Sequence, residues 1–112
     1  MLIAAPYWDL SFPALLKVYF EQLFVVGITF GYTDSGAEGH CRAEKCLYIT
    51  TAGGTIGKYD MGSQYIAGLC ETMLFIPQFD VLQVENLDIQ GMDSEALLRE
   101  GEKKAKEYAA IW

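Results

Sequence analysis

The stretch Lys45–Gly57, KCLYITTAGGTIG, decides the fold. Lys45–Thr51 is apolar through its middle and reads as a strand buried on both faces. It runs directly into the glycine-rich segment Ala52–Gly57, which reads as a turn. A helix is expected next, from about Ser63 to Phe75, with Tyr65, Ile66, Leu69, Met73 and Leu74 inward and Pro77 closing it. Phe79–Val84 reads as another strand, continued less apolarly to Leu87. Asp93 or Ser94 then opens a last helix to about Ile111, where Asp93 and Glu95 suit an N-terminus.

The same alternation holds on the N-terminal side. Gly31–Gly39 is rich in Gly, Asp, Ser and Thr and reads as a loop. Ser11–Val26 reads as a helix with Ser11 as N-cap, Pro13 in the first turn and Gly27 as the stop. Leu15, Leu16, Tyr19, Phe20, Leu23 and Phe24 fall on one face of it. Leu2–Ala5, punctuated by Pro6, reads as the end of a buried strand. Strands joined by helices of this length imply right-handed crossovers and a parallel sheet, so the class is α/β, ordered β-α-β-α-β-α. Residues 1–112 are expected to form one partial domain, because a parallel sheet normally has more strands than three. Its open edge is a pairing hazard, so a homodimer or higher homo-oligomer is expected.

Composition narrows the function. Slightly over half of the 112 residues are apolar (52%), which supports a packed core. The formal charge of −7 disfavours nucleic-acid partners. No apolar run is long enough to span a bilayer, so no membrane partner is expected. Three cysteines, Cys41, Cys46 and Cys70, do not make a disulfide framework, and a cytoplasmic setting is expected. His40, Cys41 and Cys46 lack the ligand number and spacing of a zinc site, so no metal is expected. In the last helix, Glu100–Lys104 and Glu102–Lys106 are spaced to form ion pairs.

In open α/β sheets ligands sit beyond the carboxyl ends of the strands. Two segments fall there: Pro6-Tyr7-Trp8-Asp9-Leu10 and Thr50-Thr51-Ala52-Gly53-Gly54-Thr55. Glycines admit a ligand to the backbone, and free N–H groups bind carbonyl oxygens or phosphate. Tyr7 and Trp8 offer planar faces. Together they describe a place for a flat ring with a polar edge. Each half also has a plainer reading: the glycine pair as an ordinary turn, the aromatics as core or rim.

Three blocks carry a resemblance. Pro6, Trp8, Asp9, Pro13, Leu16 and Lys17 fill a P-x-[YW]-[NDG]-x-x-x-P-x-x-L-K pattern. Gly27, Thr29, Phe30, Tyr32, Gly36 and Gly39 fill G-x-[TS]-F-x-Y-x-x-x-G-x-x-G. Thr51, Gly53 and Gly54 fill T/S-x-G-G. In these blocks the chain resembles the C-terminal portion of flavodoxin-like FMN-dependent azoreductases and NAD(P)H:quinone oxidoreductases. The resemblance implies that Pro6, Tyr7, Trp8, Asp9, Leu10, Thr51, Ala52, Gly53 and Gly54 meet FMN. It implies that Phe30, Tyr32 and Tyr59 line the nicotinamide and acceptor site. The implied reaction is ping-pong hydride transfer from NAD(P)H through the flavin to a quinone or azo compound. No protein side chain is assigned a catalytic role.

The resemblance also implies strands 3, 4 and 5 of a 2-1-3-4-5 sheet, without the first two strands and the phosphate loop. Asp9 stands where Asn or Gly is usual, which puts a carboxylate near the reduced ring. A non-catalytic remnant that folds as an oligomer without tight flavin binding is the second reading. A one-electron flavodoxin carrier is the third, set back because flavodoxins lack the G-x-T-F-x-Y pattern.

Overall fold

In the computed structural model, which describes residues 1–112, three strands form one parallel sheet. These are β1 (Leu2–Pro6), β4 (Lys45–Thr51) and β5 (Gln78–Val84), in the order β1-β4-β5. Leu2 pairs with Leu47 and Pro6 with Thr51, while Lys45 pairs with Gln78 and Thr51 with Val84. The carboxyl ends of all three strands therefore finish level. The central strand β4 buries Cys46, Leu47 and Tyr48 consecutively, which is why its sequence runs apolar without alternation.

Helices cover both faces. Helix α1 (Ala14–Leu23) and helix α2 (Met61–Leu69) lie on the face of Cys46 and Tyr48, where Phe12, Phe20, Ile66 and Leu69 complete the core. Helix α3 (Ser94–Ile111) covers the other face and approaches β5 closely. A Cβ on Gly101 would lie 2.5 Å from Val84 Cγ2, so glycine sets that approach. Asp93 caps α3 by accepting from Ala96 N–H at 3.0 Å, as the sequence leads one to expect.

Several boundaries differ from the sequence reading. Gly31–Gly39 is a hairpin, not a loop: β2 (Phe30–Thr33) pairs antiparallel with β3 (Gly36–Gly39). The Asp34–Ser35 turn closes it, and Gly36 takes the positive φ of 124°. Helix α1 is shorter than Ser11–Val26, and no side chain caps it. Ser11 instead exchanges backbone hydrogen bonds with Trp8. Of the expected face, Phe20 is buried, but Leu15 and Tyr19 are 79% and 58% exposed. The stripe overhangs because β1 is the last strand and no further sheet lies beneath it.

Helix α2 starts two residues earlier than Ser63, because Asp60 is its cap. It ends in a π-turn, Cys70–Leu74, stopped by Phe75 at φ 54° rather than by Pro77. The Glu100–Lys104 and Glu102–Lys106 pairs do not close; Arg99–Glu95 does, at 3.4 Å. No group of three or more His, Cys, Asp or Glu side chains is placed to hold a metal ion, and no helix is long and apolar enough to cross a membrane.

All three cysteines are free. Cys46 and Cys70 are buried against each other, and the Cys70 thiol is pushed up, first by its hydrogen bond with Cys46 and then by burial. Cys41 is partly exposed. A thiol-reactive chromophore should therefore label Cys41 promptly in the native protein, with Cys46 and Cys70 following only on unfolding. Prompt labelling of all three would contradict this packing.

Candidate functional site

The expected loops meet at the carboxyl ends of β1 and β4. Tyr7 N–H donates to the Thr51 carbonyl at 2.8 Å, extending the β1–β4 ladder into the loops. Trp8 and Ser11 then exchange two backbone bonds, 3.0 and 2.9 Å, across Asp9 and Leu10. Both central residues have positive φ, 48° and 68°. Such a turn normally selects Asn and Gly, so an aspartate and a leucine there hold local strain. The turn is fixed from below: Met61 N–H donates to the Leu10 carbonyl at 2.9 Å. Tyr7 Oη donates to the Tyr59 carbonyl at 3.0 Å, tying this loop to the one after β4.

The glycine loop is braced from the third strand. Asn86, Leu87 and Asp88 donate their N–H groups to the carbonyls of Gly54, Ala52 and Gly53. Thr55 Oγ1 donates to Asn86 Oδ1 at 2.7 Å, and Ile56 N–H donates to Glu85 Oε2 at 2.8 Å. The carbonyls of the loop are thus consumed, while the N–H groups of Gly53, Gly54 and Thr55 donate to no backbone carbonyl. The same is true of Asp9 and Leu10. Adjacent strand ends therefore present two sets of free donors, with Trp8 61% exposed beside them. An arrangement of this kind can hold a planar group whose edge carries acceptors.

Glu85, Asn86 and Asp88 were not singled out in the sequence. Their signal was position: polar residues directly after a strand, at the end of the sheet where ligands bind. Beneath the loops lies a buried polar group. Asp60 Oδ1 accepts from Ser63 N–H at 2.9 Å, and Asp60 Oδ2 accepts from Gln83 Nε2. Tyr48 is fully buried, and Thr50 Oγ1 is buried without a hydrogen-bond partner.

Burial raises the Tyr48 phenol above its ordinary value of 10.0, Asp60's charge adds to the rise, and Thr50 opposes it. The folded state thus favours the neutral phenol. That contribution is intact below pH about 10 and is lost as pH rises through the folded pKa. In a melting series from neutral to alkaline pH, Tyr48→Phe should lose less stability than the parent above pH about 10. Parallel curves for the two proteins would overturn this.

Not every expected residue arrives. Tyr59 is at the site through its carbonyl, and its ring is half exposed under Lys58 Nζ at 5.0 Å. Phe30 and Tyr32 lie elsewhere. Their hairpin packs on the π-turn that precedes β5, with Gly39 against the Leu74 carbonyl. That is the amino end of the strands, opposite the donor loops. Phe30 stacks edge-on with Phe24 and Tyr32 instead, with centroids 6.4 and 5.8 Å apart.

The family model described as "Flavodoxin-like fold" matches residues 1–110. The chain belongs to this family. The flavodoxin-like chain is 43% identical to FMN-dependent NADH:quinone oxidoreductase 2 of Clostridium acetobutylicum, over 96% of itself and 56% of that protein. It is 41% identical to FMN-dependent NADH:quinone oxidoreductase of Lachnoclostridium phytofermentans, over 92% of itself and 52% of that protein. The chain spans about half the length of the curated relatives it matches. A crystal structure of an FMN-dependent NADH-azoreductase from Bacillus anthracis, in complex with FMN, superposes with a TM-score of 0.82 at 19% identity. It covers 98% of this chain and 55% of that one, and the likeness shows the fold.

Proposed function

We propose that this flavodoxin-like chain forms the ring-side half of an FMN site in an NAD(P)H oxidoreductase acting on a quinone or azo acceptor. The observation that carries it is the two sets of unpaired N–H donors, Asp9–Leu10 and Gly53–Thr55, level at adjacent strand ends. The relatives' names supply FMN, NADH and quinone as the ligand classes.

The residues present fit the ring part of FMN. Gly54 leaves open space where a Cβ would stand, so a flat ring can reach the backbone. Pro6, Tyr7, Trp8, Asp9 and Leu10 would border one edge of the ring, and Thr51, Ala52, Gly53 and Gly54 the pyrimidine side. When bound, FMN supplies the hydride relay of a ping-pong reaction between NAD(P)H and the acceptor. The protein's part is to orient the ring and polarise its edge through these N–H groups. Phe30 and Tyr32 sit at the far end of the sheet, so a role for them at an acceptor site requires a second copy of the chain. A homodimer or higher oligomer follows from this reading, and the free thiols suit the cytoplasm.

A second reading has one observation behind it. The donor loops form an open shelf, while a cavity of about 460 Å³ lies by Cys70, Phe75 and Phe79 at the other end of the strands. An open shelf fits a non-catalytic remnant of the family that folds as an oligomer and holds flavin weakly. Titrating the 112-residue chain into FMN and following flavin fluorescence separates the two. Saturable quenching at micromolar FMN supports the first reading. A flat titration up to near-millimolar FMN leaves the second.

A further inference from the structure

We propose that Asp60 is a positioning residue of the donor site. Its buried carboxylate sets, through its two chain neighbours, the strained Asp9–Leu10 turn and so the direction of that turn's N–H groups. For the ligand those groups meet, it rests on the flavin reading.

The turn needs an outside hold. Asp9 and Leu10 both have positive φ, and neither is a glycine. Conformations of this kind persist only where the surroundings fix them. The two backbone bonds between Trp8 and Ser11 close the turn without tying it to the rest of the molecule. Two further bonds on its flanks do tie it, and both come from the neighbours of Asp60. The Tyr59 carbonyl accepts from Tyr7 Oη at 3.0 Å, and Met61 N–H donates to the Leu10 carbonyl at 2.9 Å.

The residue between them is fixed in turn. Asp60 is 6% exposed, and each of its carboxylate oxygens has a donor. Oδ1 accepts from Ser63 N–H at 2.9 Å at the start of α2, and Oδ2 accepts from Gln83 Nε2 on β5. Bonds to a carboxylate are stronger than those between neutral groups, and a buried carboxylate is costly to separate from its donors. A helix cap needs only one carboxylate oxygen, so the second bond, across to β5, is more than capping requires. Gly62 carries the hold onward. A Cβ there would lie 3.3 Å from the Ser11 carbonyl carbon and 3.1 Å from Phe12 Cδ1, so the first turn of α2 is pressed against the chain leaving the Asp9–Leu10 turn. The end of β5 thus braces both donor sets with side chains two residues apart. Glu85 holds Ile56 beyond the glycine loop, and Gln83 holds Asp60.

Amide hydrogen exchange of the 112-residue chain, resolved by residue with NMR and run beside the FMN titration, tests this. Asp60→Ala should speed exchange at the Trp8, Ser11 and Met61 N–H groups at least tenfold more than at Leu47 in the sheet and Ala96 at the start of α3. Gln83→Leu keeps the cap and removes the tie to β5. Gln83 is exposed, so this variant serves if the alanine variant fails to fold, and it should act in the same direction. Asp60→Asn should restore the parent pattern. Its Oδ1 still caps Ser63 N–H, and its Nδ2 meets Gln83 Oε1 once that amide turns over. FMN affinity should follow the exchange, weakened about tenfold in Asp60→Ala and Gln83→Leu and restored in Asp60→Asn. Equal acceleration at the Leu47 and Ala96 amides would make Asp60 a helix cap and overturn the proposal. So would an asparagine variant that behaves like the alanine one, or parent-like FMN binding by the alanine variant. A parent that binds no FMN would sink the flavin reading alone, because the exchange rates still decide the role of Asp60.

Discussion

Replacing Phe20 by alanine is expected to leave the chain largely unfolded at physiological temperature. Phe20 is 2% exposed and sits where α1, α2 and the segment before α1 converge. Its ring lies 5.9 Å from Phe12 and 6.0 Å from Tyr65, centroid to centroid. Removing a buried phenyl group costs about 3–5 kcal/mol, from lost transfer energy and the cavity left behind. Only 18 of the 112 residues are buried, which places the stability of this chain toward the lower end of the ~5–15 kcal/mol usual for domains. One substitution therefore removes most of the margin. Ile28→Ala, at a 70% exposed position, is the control and should change stability by no more than about 0.5 kcal/mol. Urea denaturation of the two variants checks the contrast. Equal midpoints would mean that Phe20 does not anchor the core.

The same residue shows what the sequence could and could not convey. The helical spacing of Leu15, Leu16, Tyr19, Phe20, Leu23 and Phe24 announced a helix with one apolar face. It did not announce that a single residue of that face would be fully buried. That outcome depends on how much sheet lies beneath the helix, which is a property of the strand order and not of the helix. β4 and its glycine loop were legible because a strand covered on both faces must be continuously apolar, and a chain leaving it must turn. The hairpin was not legible. Gly31, Asp34, Ser35 and Gly36 suit turns better than strands, and the pairing is fixed by a turn and by packing on a π-turn some forty residues later.

The candidate site divides along the same line. Its glycines and aromatics were visible because their residue types are specific to what they do. The bracing by Glu85, Asn86 and Asp88 and the cap by Asp60 were not. Polar residues between a strand and a helix suit any loop, and only the fold shows which carbonyls they meet. The placement of Phe30 and Tyr32 away from the donor loops has the same origin. A motif fixes their neighbours in sequence and leaves open which end of the sheet the hairpin occupies.

Gly54→Val is expected to leave folding unchanged and to weaken FMN binding at least tenfold. The two glycines of the loop are not equivalent. A Cβ on Gly53 would lie 3.1 Å from Asp88 Cβ, so that position is glycine partly for packing. Gly54 has no atom within 4 Å of its Cβ position, and its φ is not positive. Neither crowding nor backbone conformation requires a glycine there. The requirement left is access to the surface above the backbone, where its N–H group is unpaired. A valine would occupy the space a flat ring needs and hold the ring off the donors of Gly53 and Thr55. Tenfold weaker binding corresponds to about 1.4 kcal/mol, within what one lost close contact supplies. Thermal melting and the FMN titration should be run on the same variant. An unchanged melting temperature with lost affinity places the ring over Gly54. Unchanged affinity would move the ring off this loop and leave Gly54 without a ligand-based reason for being glycine.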